Sequence, residues 1–377
     1  PDSYVGAVKP DTESCWVLDS GRFVKQDLTY PPALLKIFDE ILVNALDQHA
    51  INPKDTTKIN VRVDMESGEI YVSNNGKGIP IVIHETEKVY IPELIFGTLL
   101  TSSNYDDSED RTTGGRNGYG AKLTNIYSSK FSLGVKDPQT GKKMNWEWTQ
   151  NMQNCTPSKP TTARVSDGEV AVSFTPDWKR FGMSGMTQDV FKLFQKRVWD
   201  TAVCQSGNLK VTFQGEPIPV KKLLDYAQMH EGVENAVAHT CGRWDVVVAS
   251  SNYSGFQQVS FVNGICTTRG GTHVDHVAGG ISKDIILDLV KKKVDGADKM
   301  KPMNIKAAMF VFVRSTLVNP NFSSQIKSEC TSKSSDFGSA FTWTPKFIKA
   351  ILDTGIRDEL MSVARFKEQK DLKKSDG

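Results

Sequence analysis

Four glycines fall within seven residues in Gly114-Gly115-x-x-Gly118-x-Gly120, immediately ahead of the helical-looking Leu123-Thr124-Asn125-Ile126-Tyr127. Bare backbone N–H groups at the mouth of a helix, with the helix dipole behind them, favour an anion. Lys122, in the first turn, adds a cation for a charge-assisted contact. A second spacing, Asn74-x-Gly76-x-Gly78, closes a strand. Glycines without Cβ admit a flat ligand there, and the Asn74 amide has the donor and acceptor to meet the edge of a base. A third lies in Lys36-Ile37-Phe38-Asp39-Glu40-Ile41-Leu42-Val43-Asn44-Ala45-Leu46-Asp47-Gln48. At about 100° per residue, Asn44 stands roughly 40° from Glu40 and Asp47 roughly 20° to its other side, opposite Phe38, Ile41, Leu42, Ala45 and Leu46. Each has a plain alternative: a glycine-rich turn, an ordinary turn and a solvated helix face. Ser102, Ser103 and Asn104 likewise read equally as helix-end capping.

The elements that carry these residues follow from pattern. Short strand-like pieces surround Cys15-Trp16-Val17-Leu18 and Arg22-Phe23-Val24. Pro31-Pro32 opens a helix that runs to about Ala50, proline being tolerated in the first turn. Ile59–Asp64 and Glu69–Ser73 make a hairpin across Ser67-Gly68 that delivers Asn74. A helix over Pro92–Leu100 precedes a polar, acidic, lid-like loop running to Arg111. Strands are expected at Phe131–Val135, Met144–Thr149, Ala163–Val165, Val170–Phe174 and Leu209–Phe213, interrupted by a helix over Met186–Ala202. This mixture gives an α+β sandwich with helices on one face of a sheet. A second unit starts near Val220, with strands at Val246–Ala249, Gln257–Val262 and Ala307–Val313 and a long amphipathic helix from Val274 to Lys293. A polar loop, Asn319–Ser335, surrounds Gln325-Ile326-Lys327, and helices at Pro345–Leu352 and Ile356–Lys374 follow.

The 377 residues exceed one ordinary core. With 38% hydrophobic and 24% charged residues and no apolar run of spanning length, the chain reads as a soluble globular protein and not a membrane one. A net charge of +2 requires any nucleic-acid contact to be a local patch. Cys15, Cys155, Cys204, Cys241, Cys266 and Cys330 contain no Cys-x-x-Cys pair, which argues against zinc or a disulfide framework and suits a reducing compartment. Pro1 in first place suggests an excised piece.

Neither Gly-x-x-x-x-Gly-Lys-Ser/Thr nor Gly-x-Gly-x-x-Gly occurs. The three motifs in this order instead resemble the ATPase superfamily shared by gyrase, heat-shock chaperones, histidine kinases and mismatch-repair proteins, the GHKL superfamily. The wording of Ile37–Ala45, Asn74–Pro80, Leu99–Asp107 and Gly114–Lys122, together with Gln325-x-Lys327, resembles the ATPase region of eukaryotic type IIA DNA topoisomerases over nearly the whole chain. The resemblance implies a GHKL-type ATPase domain over 1–219, a smaller α/β transducer domain of ribosomal-protein-S5-like fold over 220–354, and a C-terminal helix over 355–377 leading to a DNA-cleavage core. It implies ATP with Mg2+, Glu40 as the base for the attacking water, and Asn44 as the Mg2+ ligand. Asn74 would face adenine; Ser102, Ser103 and Asn104 would touch ribose or phosphate. Arg116, Asn117, Gly118, Tyr119, Gly120 and Lys122 would cradle the triphosphate. Gln325 and Lys327 would reach the γ-phosphate, and Lys291, Lys292 and Lys293 would contact DNA phosphates, the alternative being favourable charge at a helix end.

The implied partners are a second copy of the chain, joined on ATP binding, and double-stranded DNA; the implied compartment is the nucleus or a DNA-containing organelle such as the mitochondrion. Two positions depart from the family pattern: Gln48 stands where Asn is frequent, and Ile326 where Thr is usual. The resemblance implies a strap that crosses to the partner protomer, whose place would be ahead of Pro1. Other readings are a chaperone or mismatch-repair ATPase, whose motif wording fits less well, and a nucleotide-binding regulatory module without turnover, against which Glu40 and Lys327 argue. A histidine kinase lacks support because no phosphoacceptor helix is visible.

Overall fold

The computed structural model describes residues 5–98, 113, 120–162, 168–204, 207–294 and 296–365. The chain divides into two compact units, residues 1–20 with 24–220, and residues 21–23 with 221–377.

In the first unit, β1 (Asp11–Asp19) pairs with β2 (Arg22–Tyr30), a longer hairpin than the short pieces expected from sequence. Its turn is Ser20-Gly21, both at positive φ, the backbone that suits a tight hairpin. Helix α1 (Pro32–Ile51) follows, then β3 (Lys58–Val63), β4 (Ile70–Gly76) and the helices α2 (Ile91–Gly97) and α3 (Gly120–Ile126). β5 (Ser128–Asp137), β6 (Lys142–Thr149), β7 (Asn154–Pro157), β8 (Thr161–Thr162) and β9 (Gly168–Pro176) precede α4 (Gln188–Val203), β10 (Lys210–Phe213) and β11 (Glu216–Pro217). The sheet runs β11-β10-β3-β4-β9-β5-β6-β7, with β8 on β6. β10 lies parallel to β3, and the remaining pairs are antiparallel. The expected strand at 163–165 lies outside the described residues.

Side-chain alternation sets the layers. Met144, Trp146 and Trp148 of β6 are buried while Lys143, Asn145 and Glu147, which alternate with them, are exposed, the signature of a sheet covered on one face. The covering layer is helical: α1 packs on β4, α3 on β5 and β9, and α4 on β10. Phe38 of α1 stacks on Phe194 of α4 with centroids 4.1 Å apart, and Arg197 Nε donates to Asp39 Oδ1 at 2.5 Å.

In the second unit, α5 (Leu223–Gln228) leads into β12 (Ala236–Cys241), β13 (Trp244–Ser250), β14 (Gln257–Val262) and β15 (Ile265–Cys266). The long helix α6 (Thr272–Lys291), the short α7 (Pro302–Ala307), β16 (Met309–Ser315) and α8 (Pro345–Ile351) complete it. Strand order is β12-β13-β16-β14-β15, with β14 and β16 parallel. The strand expected from Ala307 starts at Met309, because Pro302 in the first turn of α7 makes the preceding residues helical. Val246, Val248, Val311 and Val313 meet Val274, Val277, Ile281 and Ile285 of α6 in one core. Phe310, Phe312 and Phe261 pack the opposite face, with His230 and Tyr226 among them. Burial on both faces explains why β13 and β16 read as near-continuous apolar runs. After α8 the helix kinks at Gly355, whose φ is 110°, and continues to residue 365. Among the described residues no helix is long and apolar enough to cross a membrane.

Candidate active site

Helix α1 begins as its sequence dictates: Pro31 is extended and Pro32 occupies the first turn. Its apolar face is in the core, and its polar face is also largely withdrawn from water. The Glu40 side chain is only 13% exposed and Lys36, one turn earlier, 6%; the two are ion-paired. Asn44 is half-buried and Asp47 buried, while Gln48 is exposed. The first residue of α3 presses on the carboxylate, because a Cβ at Gly120 would overlap Glu40 Oε2. Thr124 Oγ1 fixes this approach by donating to Ile37 O at 2.8 Å. The stripe read as a possible solvated face is therefore an inner wall.

The strand end bearing Asn74 is built to be thin. Asn74 is 7% exposed and donates through Nδ2 to Asn75 O at 3.0 Å. Its neighbour Asn75 serves the scaffold instead: Oδ1 accepts from the amides of Thr57 at 2.8 Å and Lys58 at 2.7 Å. Gly76, at φ 140°, abuts Thr56 Oγ1, and Gly78, at φ 71°, abuts Lys136 O, so neither site has room for a side chain. The buried His49 of α1 meets the loop after the helix, with Nδ1 2.6 Å from Thr56 O, and Thr56 Oγ1 in turn abuts Gly76. Helix and turn are thus one assembly.

Lys122 is 1% exposed, and burial pushes its ammonium down to about 8. A lysine kept this dry is poised to gain from an anion brought beside it. Ser102, Ser103, Asn104, Arg116, Asn117, Gly118 and Tyr119 lie outside the described residues.

In the second unit the polar stretch around Gln325 is a hairpin and not an open loop. Thr331 N donates to Asn321 O at 2.9 Å and Ser323 N to Glu329 O at 3.0 Å, and Lys327 N closes the tip on Ser324 O at 3.0 Å. Gln325 is half-buried and Ile326 exposed. Lys327 is buried at φ 63°, a left-handed conformation that costs a non-glycine residue about 1 kcal/mol or more. The return arm is clipped to the start of α6: Thr272 N donates to Cys330 O at 2.9 Å and Cys330 N to Gly270 O at 3.0 Å. Gly271, at φ 126°, allows that contact. Lys291, Lys292 and Lys293 are exposed at the other end of α6, where Lys292 Nζ donates to Asp288 Oδ2 at 2.7 Å.

Lys36 and His49 escape a motif-based reading, although Lys36 carries a local signal, the i, i+4 spacing to Glu40. His49 depends on a contact with the loop after the helix, which no spacing announces.

Comparison with known proteins places this geometry. Residues 29–152 match the family described as histidine kinase-, DNA gyrase B-, and HSP90-like ATPase, and residues 210–376 match that of DNA gyrase B. The ATPase region of Saccharomyces cerevisiae topoisomerase II superposes with a TM-score of 0.90 at 38% identity, covering 97% of this chain and 95% of that one. The chain belongs to the family of DNA topoisomerase II ATPase regions. The ATPase and transducer domains of the Balamuthia mandrillaris topoisomerase II agree as closely, at 37% identity and a TM-score of 0.91 over 98% of this chain and 95% of that one. Among full-length topoisomerases II, the chain is 41% identical to that of Arabidopsis thaliana and 42% identical to the 2-alpha enzyme of Gallus gallus, over 100% and 99% of its length. It spans about a quarter of each, 26% and 24%. The Thermus thermophilus gyrase B ATPase domain, at 19% identity and a TM-score of 0.60, shares the fold.

Proposed function

We propose that this chain is the ATP-operated gate of a type IIA DNA topoisomerase. The first unit binds ATP and hydrolyses it, ATP draws two copies together around a DNA duplex, and hydrolysis resets them. The observation that carries the reading is the Glu40 carboxylate, held between the Lys36 ammonium and the Gly120 backbone, one turn from the Asn44 amide. A carboxylate fixed in a largely dry wall can orient a water and take its proton. The residues fit a magnesium ion. Among the described residues no group of three or more His, Cys, Asp or Glu side chains is set to hold a metal by itself. A lone amide oxygen such as that of Asn44 suits Mg2+, which keeps waters and shares its remaining contacts with phosphates. When bound, the ion would neutralise phosphate charge.

On this reading Asn74 meets the adenine edge, and Ser102, Ser103 and Asn104 meet ribose or phosphate. Arg116, Asn117, Gly118, Tyr119, Gly120 and Lys122 hold the triphosphate; Gln325 and Lys327 answer to its γ-phosphate. Residues 1–219 form the ATPase domain, 220–354 the transducer and 355–377 the connector. Lys291–Lys293 meet DNA phosphates, no DNA cleavage occurs in this stretch, and the nucleus is the compartment. Sedimentation of the purified chain tests the gate: with Mg2+ and a non-hydrolysable ATP analogue it should shift from monomer to dimer, and with ADP it should not. One unchanged species under all nucleotide conditions would overturn the gate reading.

A further inference from the structure

The turn after β4 is pinned by a residue far from every motif. Leaving Gly76, the chain steps over the first residue of β9, Gly168, where a Cβ would overlap Gly76 O and crowd Gly78 N. It then runs beside the end of β5, where Gly78 abuts Lys136 O. There the fully buried Asp137 meets it: Asp137 Oδ2 accepts from Ile81 N at 2.9 Å. The same carboxylate accepts from Thr140 Oγ1 at 2.6 Å and, through Oδ1, from Gln139 N at 2.9 Å. Burial alone would raise the Asp137 carboxyl; the donors Thr140 Oγ1 and the amides of Ile81, Gln139 and Thr140 outweigh it and hold the group below the usual carboxylate range.

An aspartate that only capped its own turn would be satisfied by Gln139 and Thr140. The bond to Ile81 does something else. It fixes the far end of the segment that begins at Asn74, just as Asn75 and Gly76 fix the near end through residues 56–58. We infer that Asp137 is a positioning residue for base recognition: by anchoring Ile81 it holds the Asn74–Gly78 turn at the depth at which the Asn74 amide can read a purine edge. This rests on the proposal that the turn receives adenine.

The test is nucleotide selectivity, measured as the ratio of kcat/KM for ATP to that for GTP. Asp137→Ala removes both acceptor oxygens, and with them the bonds to Ile81 N, Thr140 Oγ1 and Gln139 N. It should raise the KM for ATP about tenfold or more, leave kcat within about twofold, and shrink the ATP-over-GTP ratio about tenfold, as expected when a recognition group is displaced by a fraction of an ångström. Asp64→Ala is the structural control, since Asp64 Oδ1 caps the β3–β4 turn by accepting from Glu66 N at 2.8 Å and Ser67 N at 3.2 Å. It should leave the ratio unchanged. A folded D137A protein with an unchanged ratio would overturn the inference. Asn74→Ala separates the two layers: an unchanged ratio there sinks the base-pocket reading, whereas a reduced ratio for N74A beside an unchanged one for D137A sinks only the role of Asp137. Should D137A fail to fold, hydrogen exchange on the wild-type chain decides: a non-hydrolysable ATP analogue should slow the Ile81 amide at least about tenfold, and equal rates would contradict the inference.

Discussion

Gly120 stands against Glu40 so closely that the smallest side chain at position 120 would displace the carboxylate. The contact joins the first residue of one helix to the middle of another, and Thr124 locks it by bonding the α1 backbone at Ile37. Gly120→Ala should therefore do more than strain the backbone. We expect a stability loss of about 1–3 kcal/mol from overpacking and turnover reduced at least about a hundredfold because the carboxylate is moved. Thermal melting with a phosphate-release assay checks both; a stable variant with normal turnover would show that Glu40 does not need its observed place.

Lys36 is ion-paired with Glu40 in a wall with little water. Lys36→Met leaves a largely buried carboxylate without that cation, a change that is strongly unfavourable in such surroundings. Hydrolysis should fall about tenfold to a hundredfold, the lower end of general-base effects, while the Kd for a non-hydrolysable analogue stays within about threefold. Single-turnover kinetics beside calorimetric binding would tell these apart.

Lys122 gives the site a pH dependence. In the free protein burial holds its ammonium at about 8 instead of the usual 10.5, so the folded chain sheds this proton earlier than the unfolded chain does. The penalty on folding is present below pH 8 and is relieved as pH rises from 8 toward 10.5. Binding runs the opposite way, since a phosphate favours the charged form and raises its pKa. Affinity for an ATP analogue should weaken above pH 8, by up to about tenfold per pH unit, and Lys122→Met should flatten that slope. A wild-type affinity constant from pH 7 to 9.5 would remove Lys122 from the phosphate site.

Lys327 is buried at φ 63° on a hairpin tip whose return arm is bonded to the start of α6. The proposed contact of this residue with the γ-phosphate predicts what its removal should do. Lys327→Ala should bind nucleotide normally yet lose the nucleotide-dependent change in shape. Small-angle scattering with a non-hydrolysable analogue checks this; identical changes in wild type and variant would contradict the role.

What the sequence makes legible here is what is local. The period of α1, the hairpin ending in Asn74 and the alternation in β6 all follow from neighbouring residues, as does the stacking of Glu40 and Asn44 one turn apart. The parallel pairing of β10 with β3 does not, because the partners lie far apart in the chain and neither strand's pattern names the other. Asn74 and Asn75 are adjacent and chemically identical, so only the fold separates the one that lines the turn from the one that holds residues 57 and 58. Asp137 looks like an ordinary Asp-Pro turn; its bond to Ile81 spans 56 positions. The stretch Asn319–Ser335 looked like an open loop because its hairpin is made by main-chain bonds, which leave little trace in composition.

Glu40 is the group proposed to activate the attacking water. Phosphate release from ATP, measured for the wild-type chain and for Glu40→Gln beside analogue binding to both, tests it most directly. The glutamine keeps the shape and one acceptor oxygen for Lys36 but cannot take a proton, so hydrolysis should fall by about two to four orders of magnitude with binding nearly intact. Turnover by the glutamine variant at the wild-type rate would contradict the central claim.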